Sequence, residues 1–385
     1  MNKKENKKNK FEKFLARFIL LFFTALAGFF GAFYMNIVEE QYFAGRKLDI
    51  GEMLYIFSCA FIVIYLIIII HIYVHETGHM IGGLITGYKF HSIRYGSFMI
   101  MKTEKGLKLC RFTLAGTGGQ CLMLPPETDN DDFPVALYNW GGCIGNFVFA
   151  VIGLIIFLCA RDIIIISFTG MILTLFGIAF GTVNAIPLST LSNDGYNVSI
   201  LMKDAKARRA FRNQLKINNC LSQGMSIKEM PKEWFEWEQQ IPENNLTASA
   251  AVMKFGWLME LGKYDEAKEL GNYILDNACS LAKPHESMLK GELIYCDIML
   301  GKDKEQIKQN WEKNKKDILL LRSLPSIQRI LYAYYKVCEM DEKKAGDALK
   351  NFEHIVKRYP YQAEVASERV MIEKINKLEN EKAAV

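Results

Sequence analysis

The sequence predicts a mainly α-helical protein: a polytopic membrane bundle of about four transmembrane helices, a small β-hairpin insertion and a C-terminal, repeat-like α-helical soluble domain. Half of the 385 residues are hydrophobic and 23% are charged, which fits an apolar part joined to an ordinary soluble part. Long apolar runs stop before residue 203, and the chain beyond is polar with a helix-rich composition. Residues 89–126 alternate irregularly between apolar and polar, with Gly106 at a possible turn, as one or two short hairpins do.

These patterns divide the chain into three parts. Residues 1–50 are a basic cytoplasmic tail, a first anchor and an outer loop, residues 51–202 are the membrane-embedded core, and residues 203–385 are a cytoplasmic helical domain. The net charge is only +5, with no basic face interleaved with aromatic residues, so no nucleic-acid partner is expected. Nine scattered cysteines without a CxxC pair favour reduced thiols over a disulfide framework.

Four segments are long and apolar enough to cross about 30 Å of hydrocarbon, which takes roughly 20 residues. The first follows a lysine-rich start, and its apolar run is too long for a signal peptide, so we expect a retained anchor. The positive-inside rule then places the N-terminus and the C-terminal domain in the cytoplasm of a multi-pass cell-membrane protein. The predicted spans are Phe14–Met35, Met53–Tyr73, Leu137–Ala160 and Ile163–Ile186.

An HExxH motif, His75 to His79, stands at the end of the second span. Residues i and i+4 share one helical face, so His75 and His79 can direct their imidazoles at one metal ion, with Glu76 beside them as a proton acceptor. Ionisable residues at the edge of a membrane helix are costly and by default functional. His71 lies on the same stripe, but about 12 Å of rise separates it from His79, so we expect it to support the site or face the bundle.

A catalytic zinc site needs a third protein ligand, which we expect where the fourth span breaks at Pro187. Asp194 is the only carboxylate in residues 163–203, and the topology puts it at the same depth as the histidines. Gly195 beside it permits a close or unusual backbone conformation. The predicted ligands of Zn²⁺ are His75, His79 and Asp194.

This order of motifs resembles the site-2 protease family of intramembrane zinc metalloproteases, which pairs HExxH on one core helix with Asn-x-x-Pro…Asp-Gly on a later one. The resemblance covers roughly residues 50–200, and the second motif begins at Asn184. It implies that Glu76 is the general base and that the two histidines and Asp194 bind zinc.

Residues 142–146 occupy the place of the family's Gly-Pro-x-x-Asn motif, with Cys143 where proline is usual. By resemblance, Asn146 would help to hold the substrate backbone or the oxyanion near zinc. The second motif departs from the family pattern, because its spacing is longer and Ser192 and Asn193 precede the aspartate where leucine is usual. In the family, a membrane-associated strand near the site pairs with unfolded substrate, and residues 89–125 lie in that place; a simple connector is the alternative.

The C-terminal region has a weak internal repeat, here called the 39-residue echo. Three short segments recur at an interval of 39 residues: Leu261-Gly262-Lys263, Leu300-Gly301-Lys302 and Glu339-Met340-Asp341. The first copy resembles the turn of a tetratricopeptide repeat. Stacked helical hairpins form an extended surface suited to a peptide or a protein partner, whereas a plain helical domain would only stabilise the core. The basic segment Val198–Gln223 is expected to follow the membrane face.

The leading hypothesis is a membrane-embedded zinc endopeptidase that cleaves membrane-anchored proteins or peptides within or near a transmembrane segment. The alternative is a catalytically inactive membrane scaffold that binds a partner through its helical repeats, and the intact Glu76 argues against it. A metal transporter would need polar groups along a whole transmembrane path, whereas here they cluster at one end. Another HExxH membrane protease with a glutamate third ligand remains open.

Overall fold

The computed structural model describes residues 3–43, 45–113, 117–128, 132–236, 242–278 and 281–383. Over these residues it is mainly helical, with four candidate membrane helices and one small antiparallel sheet, which confirms the predicted fold class at that level. The chain forms two compact units, the first of Met1–Lys89, Gly118–Cys121 and Pro134–Lys203, the second of Phe90–Thr117, Leu122–Phe133 and Asp204–Val385. The functional division into residues 1–50, 51–202 and 203–385 stays a prediction.

The first unit contains five helices within the described residues. Four of them are long and apolar enough to cross a membrane. The first two run beyond the predicted spans, because apolarity marks only the part of a helix that suits lipid and not its ends. Their bounds are α1 Lys3–Tyr42, α2 Ile50–Ile85, α3 Ala136–Cys159, α4 Ile164–Ala185 and α5 Asp194–Leu201.

Helix α2 begins at a capping box. The Asp49 carboxylate accepts from the backbone N–H of Glu52 at 2.8 Å, and the Glu52 carboxylate accepts from the Asp49 N–H at 2.9 Å. The helix then continues through the HExxH motif to Ile85, so the motif lies within a regular helix as predicted. Both histidines of the motif are thereby held by the same rigid element.

The four long helices are buried to different extents. In the most apolar stretch of α4, 56% of residues are buried, against 6% in α2, so α4 lies at the centre of the unit and α2 exposes apolar side chains suited to lipid. Helices α2 and α3 cross at Gly78 and Gly141, where a Cβ on either would lie 2.2 Å from the other's carbonyl oxygen. This close crossing brings the HExxH turn onto α3.

The predicted short hairpins are present as β1–β2 and β2–β3, and a fourth strand extends them to a sheet in the order β3-β2-β1-β4. Its central strand β2 is amphipathic: Met99 and Met101 are buried and pack with Ile217 and Leu221, whereas Phe98 on the opposite face is half exposed. Gly106 lies at the β2–β3 turn with φ of +108°, as predicted. The strands are β1 Lys89–Tyr95, β2 Phe98–Thr103, β3 Gly106–Arg111 and β4 Gly119–Leu124.

The rest of the second unit is helical and has an extensive apolar core, in addition to the apolar cluster beneath β2. The three positions of the 39-residue echo all have left-handed backbone, with φ of +76° at Gly262, +63° at Gly301 and +55° at Met340. Each lies in the turn between two helices, while the tetratricopeptide-like repeat itself stays a prediction. The helices are α6 Ala205–Ser222, α7 Asn245–Glu260, α8 Tyr264–Asn277, α9 Lys283–Met299, α10 Lys304–Leu319, α11 Pro325–Ala333, continued by a π-helical turn at Tyr334–Glu339, α12 Glu342–Val356 and α13 Gln362–Ala383.

Candidate metal centre

The structure brings the three predicted ligands together within the first unit. The Nε2 atoms of His75 and His79, on successive turns of α2, are 3.1 Å apart. Asp194, the first residue of α5, places Oδ2 3.1 Å from Nε2 of His75 and Oδ1 3.5 Å from Nε2 of His79. Residues far apart in sequence therefore form one cluster of possible metal ligands.

This spacing fits a small tetrahedral cation. Two donors at about 2.0–2.1 Å from zinc and at a tetrahedral angle are about 3.3 Å apart, close to the separations observed. Two imidazole nitrogens and a carboxylate form a donor set that zinc accepts. Burial raises the pKa of Asp194, but without a metal the charges of protonated His79 and His75 and the hydrogen bonds from His75 and Cys143 outweigh burial and hold the pKa below its ordinary value.

Each imidazole of the cluster is oriented by a hydrogen bond at its Nδ1 atom, on the side away from Asp194. Nδ1 of His79 is 2.8 Å from the carbonyl oxygen of Tyr138 on α3, and a carbonyl can only accept, so Nδ1 carries the proton. The neutral ring then has its lone pair on Nε2, toward the cluster. Such a partner fixes both the tautomer and the direction of a metal-binding histidine.

An amide performs the same task for His75. The side chain of Asn146 on α3 lies between Nδ1 of His75 and Nδ1 of His71, at 3.1 Å from each, and Nε2 of His71 is 3.0 Å from the carbonyl oxygen of Leu173. In the structure, Oδ1 of Asn146 faces Nδ1 of His71 and Nδ2 faces Nδ1 of His75. With these two amide atoms exchanged, His71 is neutral: its Nε2–H donates to the Leu173 carbonyl, and its Nδ1 accepts from the Asn146 NH₂ group. The Asn146 oxygen then accepts from Nδ1–H of His75, which leaves the Nε2 lone pair for a metal.

Asn146 is 1% exposed, and its amide is engaged by two rings. A contact with substrate, the role that the family resemblance implied, requires the amide to leave these bonds. The geometry observed here supports the orientation of His75 instead. His71 supports the site through Asn146, consistent with the expectation that it does not bind the ion itself.

Glu76 is buried beside the ligands and lies against the first residue of β4. A Cβ built on Gly119 would be 2.5 Å from Oε1 of Glu76, so only a glycine permits this approach. Glu76 thus follows His75 on α2, and its carboxylate lies against the residue that begins β4. Cys143, in place of the family's proline, lies with Sγ 3.7 Å from Oδ2 of Asp194.

Asn193 positions Asp194, a role that the sequence analysis missed. Its NH₂ group donates to the carbonyl oxygens of Val183 and Ile186 at 2.6 and 2.7 Å, and its Oδ1 accepts from the backbone N–H groups of Leu188 and Tyr196. One side chain therefore ties the end of α4 to the start of α5. The available signal was an asparagine one residue before a helix start, a preferred N-cap.

A second positioning residue comes from the other end of the unit's sequence. The buried carboxylate of Glu12 on α1 accepts from the Ser189 hydroxyl at 2.7 Å and from the Thr190 N–H at 3.0 Å. It thereby holds the loop that leads to the candidate ligand. Asn184, by contrast, donates to the carbonyl of Phe180 one turn earlier on its own helix.

Comparison with protein-family models, with curated proteins and with solved structures finds no match to this chain. The resemblance to the site-2 protease family therefore stays a prediction that rests on the motifs.

Proposed function

We propose that this protein is a membrane-embedded zinc endopeptidase of the site-2 protease type. It would cleave membrane-anchored proteins or peptides within or near a transmembrane segment. The observation that carries the proposal is the convergence of His75, His79 and Asp194 to 3.1–3.5 Å, with Glu76 on the same helix as the histidines. The cluster belongs to a unit whose four long helices suit a membrane.

The catalytic chemistry is shared between the ion and the chain. His75, His79 and Asp194 would hold the zinc, and a zinc ion bound there would supply a water with a pKa of about 7 and would polarise a carbonyl. Glu76 accepts a proton from the attacking water and returns it to the leaving amine. Asn146 and the Tyr138 carbonyl keep both imidazoles directed at the cluster, so the chain does not have to reorganise during the reaction.

Strand β4 offers a way to present the scissile bond. It lies at one edge of the sheet, and its first residue, Gly119, touches Glu76. An extended peptide that adds to this edge would gain main-chain hydrogen bonds and pass beside the proposed base. A helical substrate has to unwind first, because an intact helix uses its carbonyls internally.

The same proposal gives the chain its orientation and partners. The basic N-terminal residues favour a cytoplasmic start, and four spans return the chain to the cytoplasm after α4. The helical region beyond residue 203 would then be a cytoplasmic domain of stacked hairpins, supported by the three left-handed turns at a 39-residue interval. Such a domain suits a protein partner.

Zinc analysis of the purified full chain tests the site. We expect about one zinc per wild-type chain and a large loss in Asp194→Ala, because two histidines alone leave the ion without its third protein ligand. Asp162→Ala is the matched control, since that aspartate lies exposed in the turn after α3 and should leave zinc unchanged. Folded wild-type protein that takes up no zinc would refute the proposal.

Glu76→Gln tests the chemistry separately from the metal. This variant retains a side chain of the same shape without a basic carboxylate, so it should bind zinc normally and lose cleavage of a membrane-anchored reporter. Loss of proton transfer alone typically costs about 10²–10⁴ in rate. Cleavage at the wild-type rate by Glu76→Gln would assign the activity to another group or to a contaminant.

A further inference from the structure

The second unit contains a cavity of about 320 Å³, remote in sequence from the candidate metal ligands and formed by side chains from α6, α7, α9, α11 and α13. Much of its lining is apolar and contributed by methionine and phenylalanine side chains. The carboxyl and guanidinium groups in the lining belong to Glu260, Glu292, Glu364, Glu368 and Arg329. Four carboxyl groups thus share the wall with a single guanidinium.

Arg329 is fixed at the centre of this group. It is 1% exposed, its Nε donates to Glu368 at 2.5 Å, its Nη2 donates to Glu292 at 2.6 Å, and its guanidinium lies over the Tyr295 ring at 4.1 Å. A guanidinium with two carboxylate partners and a stacked ring cannot rotate, so a third acceptor has to approach Nη1 in its present position. Its geometry is therefore set before any ligand arrives.

Two buried atoms of this group have no hydrogen-bond partner among the described residues. They are Nη1 of Arg329, a donor, and Oε2 of Glu292, an acceptor, and both residues are more than nine-tenths buried. Buried polar groups in native proteins are almost always paired. A complementary ligand would supply an acceptor for Nη1 and a donor for Oε2 a short distance apart.

The excess of carboxyl groups in the cavity lining favours a hydrogen-bond donor that carries a positive charge. One guanidinium faces four carboxyl groups, and burial raises the pKa of two of these, Glu364 and Glu368. Neighbouring carboxylates raise it further: Glu368 and Glu260 act on Glu364, and Glu292 and Glu260 act on Glu368. The pKa of Glu364 is raised to about 7. A neutral ligand or water leaves this repulsion in place, whereas a cation relieves it.

We propose that this cavity binds an ammonium group carried by a peptide. The ammonium donates to Glu292 and to the carboxyl groups of Glu364 and Glu368, and a carbonyl of the same peptide accepts from Nη1 of Arg329. The apolar wall covers the aliphatic part next to the ammonium. The volume is at the small end of the range of about 300–1,000 Å³ typical of ligand sites, which suits one side chain or one chain end.

A peptide ammonium has two sources, a lysine side chain or a free N-terminus. We would measure binding calorimetrically on the purified full chain with three decapeptides of leucine and serine. The first has blocked ends and one central lysine, the second replaces the lysine by glutamine, and the third is the glutamine peptide with a free N-terminus. Binding of the first identifies the side chain, binding of the third identifies the chain end, and the second should not bind.

Variants then assign the binding to this cavity. Glu364→Gln should weaken binding of the ammonium peptide at least about tenfold, roughly 1.4 kcal/mol, because a charge facing the ammonium is lost. The substitution preserves an oxygen for the Tyr359 hydroxyl and leaves both partners of Arg329 in place. Glu353→Gln is the matched control, since that glutamate pairs with exposed Arg369 on the surface.

Two results would overturn the inference. One is the absence of binding by both ammonium peptides to folded wild-type protein. The other is equal affinity of the wild type and Glu364→Gln. The inference does not depend on zinc: loss of peptide binding with normal zinc content, or the reverse, separates failure of this site from failure of the proposed protease site.

Discussion

At the scale of single residues, the candidate site depends on groups that do not belong to the ligand set. Two histidines one turn apart on a helix are common, and their rings can rotate. Here the Tyr138 carbonyl and the Asn146 amide each bind the outer nitrogen of one ring, so that both Nε2 atoms face Asp194. The direction of the lone pairs follows from these partners.

Asn146→Leu should therefore weaken zinc binding about 10–100-fold without removing a ligand, because His75 loses the partner that fixes its tautomer. Competition with a chromogenic chelator in detergent measures the affinity. Asn184→Leu is the matched control, since Asn184 bonds only within α4 as far as its described contacts show. Equal affinities for the two variants would show that the ring needs no such support.

Glu364 provides a second test at this scale. Its pKa rises from 4.5 when unfolded to about 7 when folded, chiefly through burial and also through the charges of Glu368 and Glu260. The folded state then holds the proton more tightly, so the stabilising contribution is complete below pH 4.5 and is lost as the pH rises to about 7. The ionised carboxyl costs up to about 3 kcal/mol at pH 8.

Glu364→Gln should remove this cost. We expect a higher unfolding midpoint than wild type at pH 8 and nearly equal midpoints at pH 4.5, measured by scanning calorimetry of the full chain. Glu353→Gln should show no such pH dependence, because its carboxylate is exposed and its pKa is lowered by the hydrogen bond with Arg369. A stability difference that is independent of pH would contradict the raised pKa.

At the scale of elements, chain direction is set where one helix ends and the next begins. Asn193 joins α4 to α5 through four backbone groups, and Asp49 begins α2 with a capping box. In the second unit the corresponding positions are the left-handed turns. Two of these have glycine, whereas Met340 adopts φ of +55° with an exposed side chain that makes little packing contact.

Met340→Gly should stabilise the second unit by about 1 kcal/mol, because the left-handed conformation costs a side-chain-bearing residue roughly that amount. Denaturant unfolding of the full chain measures the gain. Met340→Ala retains the Cβ and should give almost none of it. If both variants behave alike, backbone strain at this turn is not the cause.

At the scale of the whole molecule, the four long apolar helices, which suit a membrane, all lie in the N-terminal half of the chain, and the rest is mostly polar. The four candidate spans are an even number, so both ends of this region lie on the same side of the bilayer if all four cross. In the orientation proposed above, the basic residues in the first turns of α1 would place that side in the cytoplasm. The ligand cluster then lies near the cytoplasmic ends of α2 and α4.

Alkaline phosphatase fusions test this orientation. We expect activity for fusions after Lys47 and after Asp162, which lie between spans on the outer side, and none after Lys203. Green fluorescent protein fused at the same three positions should give the complementary pattern, fluorescing only after Lys203. The inverse of both patterns would reverse the proposed orientation while leaving the ligand geometry untouched.

The sequence by itself determined the four candidate membrane helices, the helical HExxH motif, the turn at Gly106 and the candidate third ligand Asp194. These features depend on local periodicity, hydropathy and a short motif, or on the scarcity of carboxylates near the fourth span. Each can be recognised from a short stretch of the sequence. The sequence also showed a 39-residue interval whose positions prove to share left-handed backbone.

Only the tertiary structure decided how the site is supported. Glu12 bonds to Ser189 across 177 residues, and Asn146 bridges two histidines on another helix. It also places the Asn146 amide between two imidazoles, and it brings four carboxyl groups and Arg329 to one cavity. Such contacts depend on which helix faces pack together, and a polar residue's type and neighbours in sequence do not specify its partner in space.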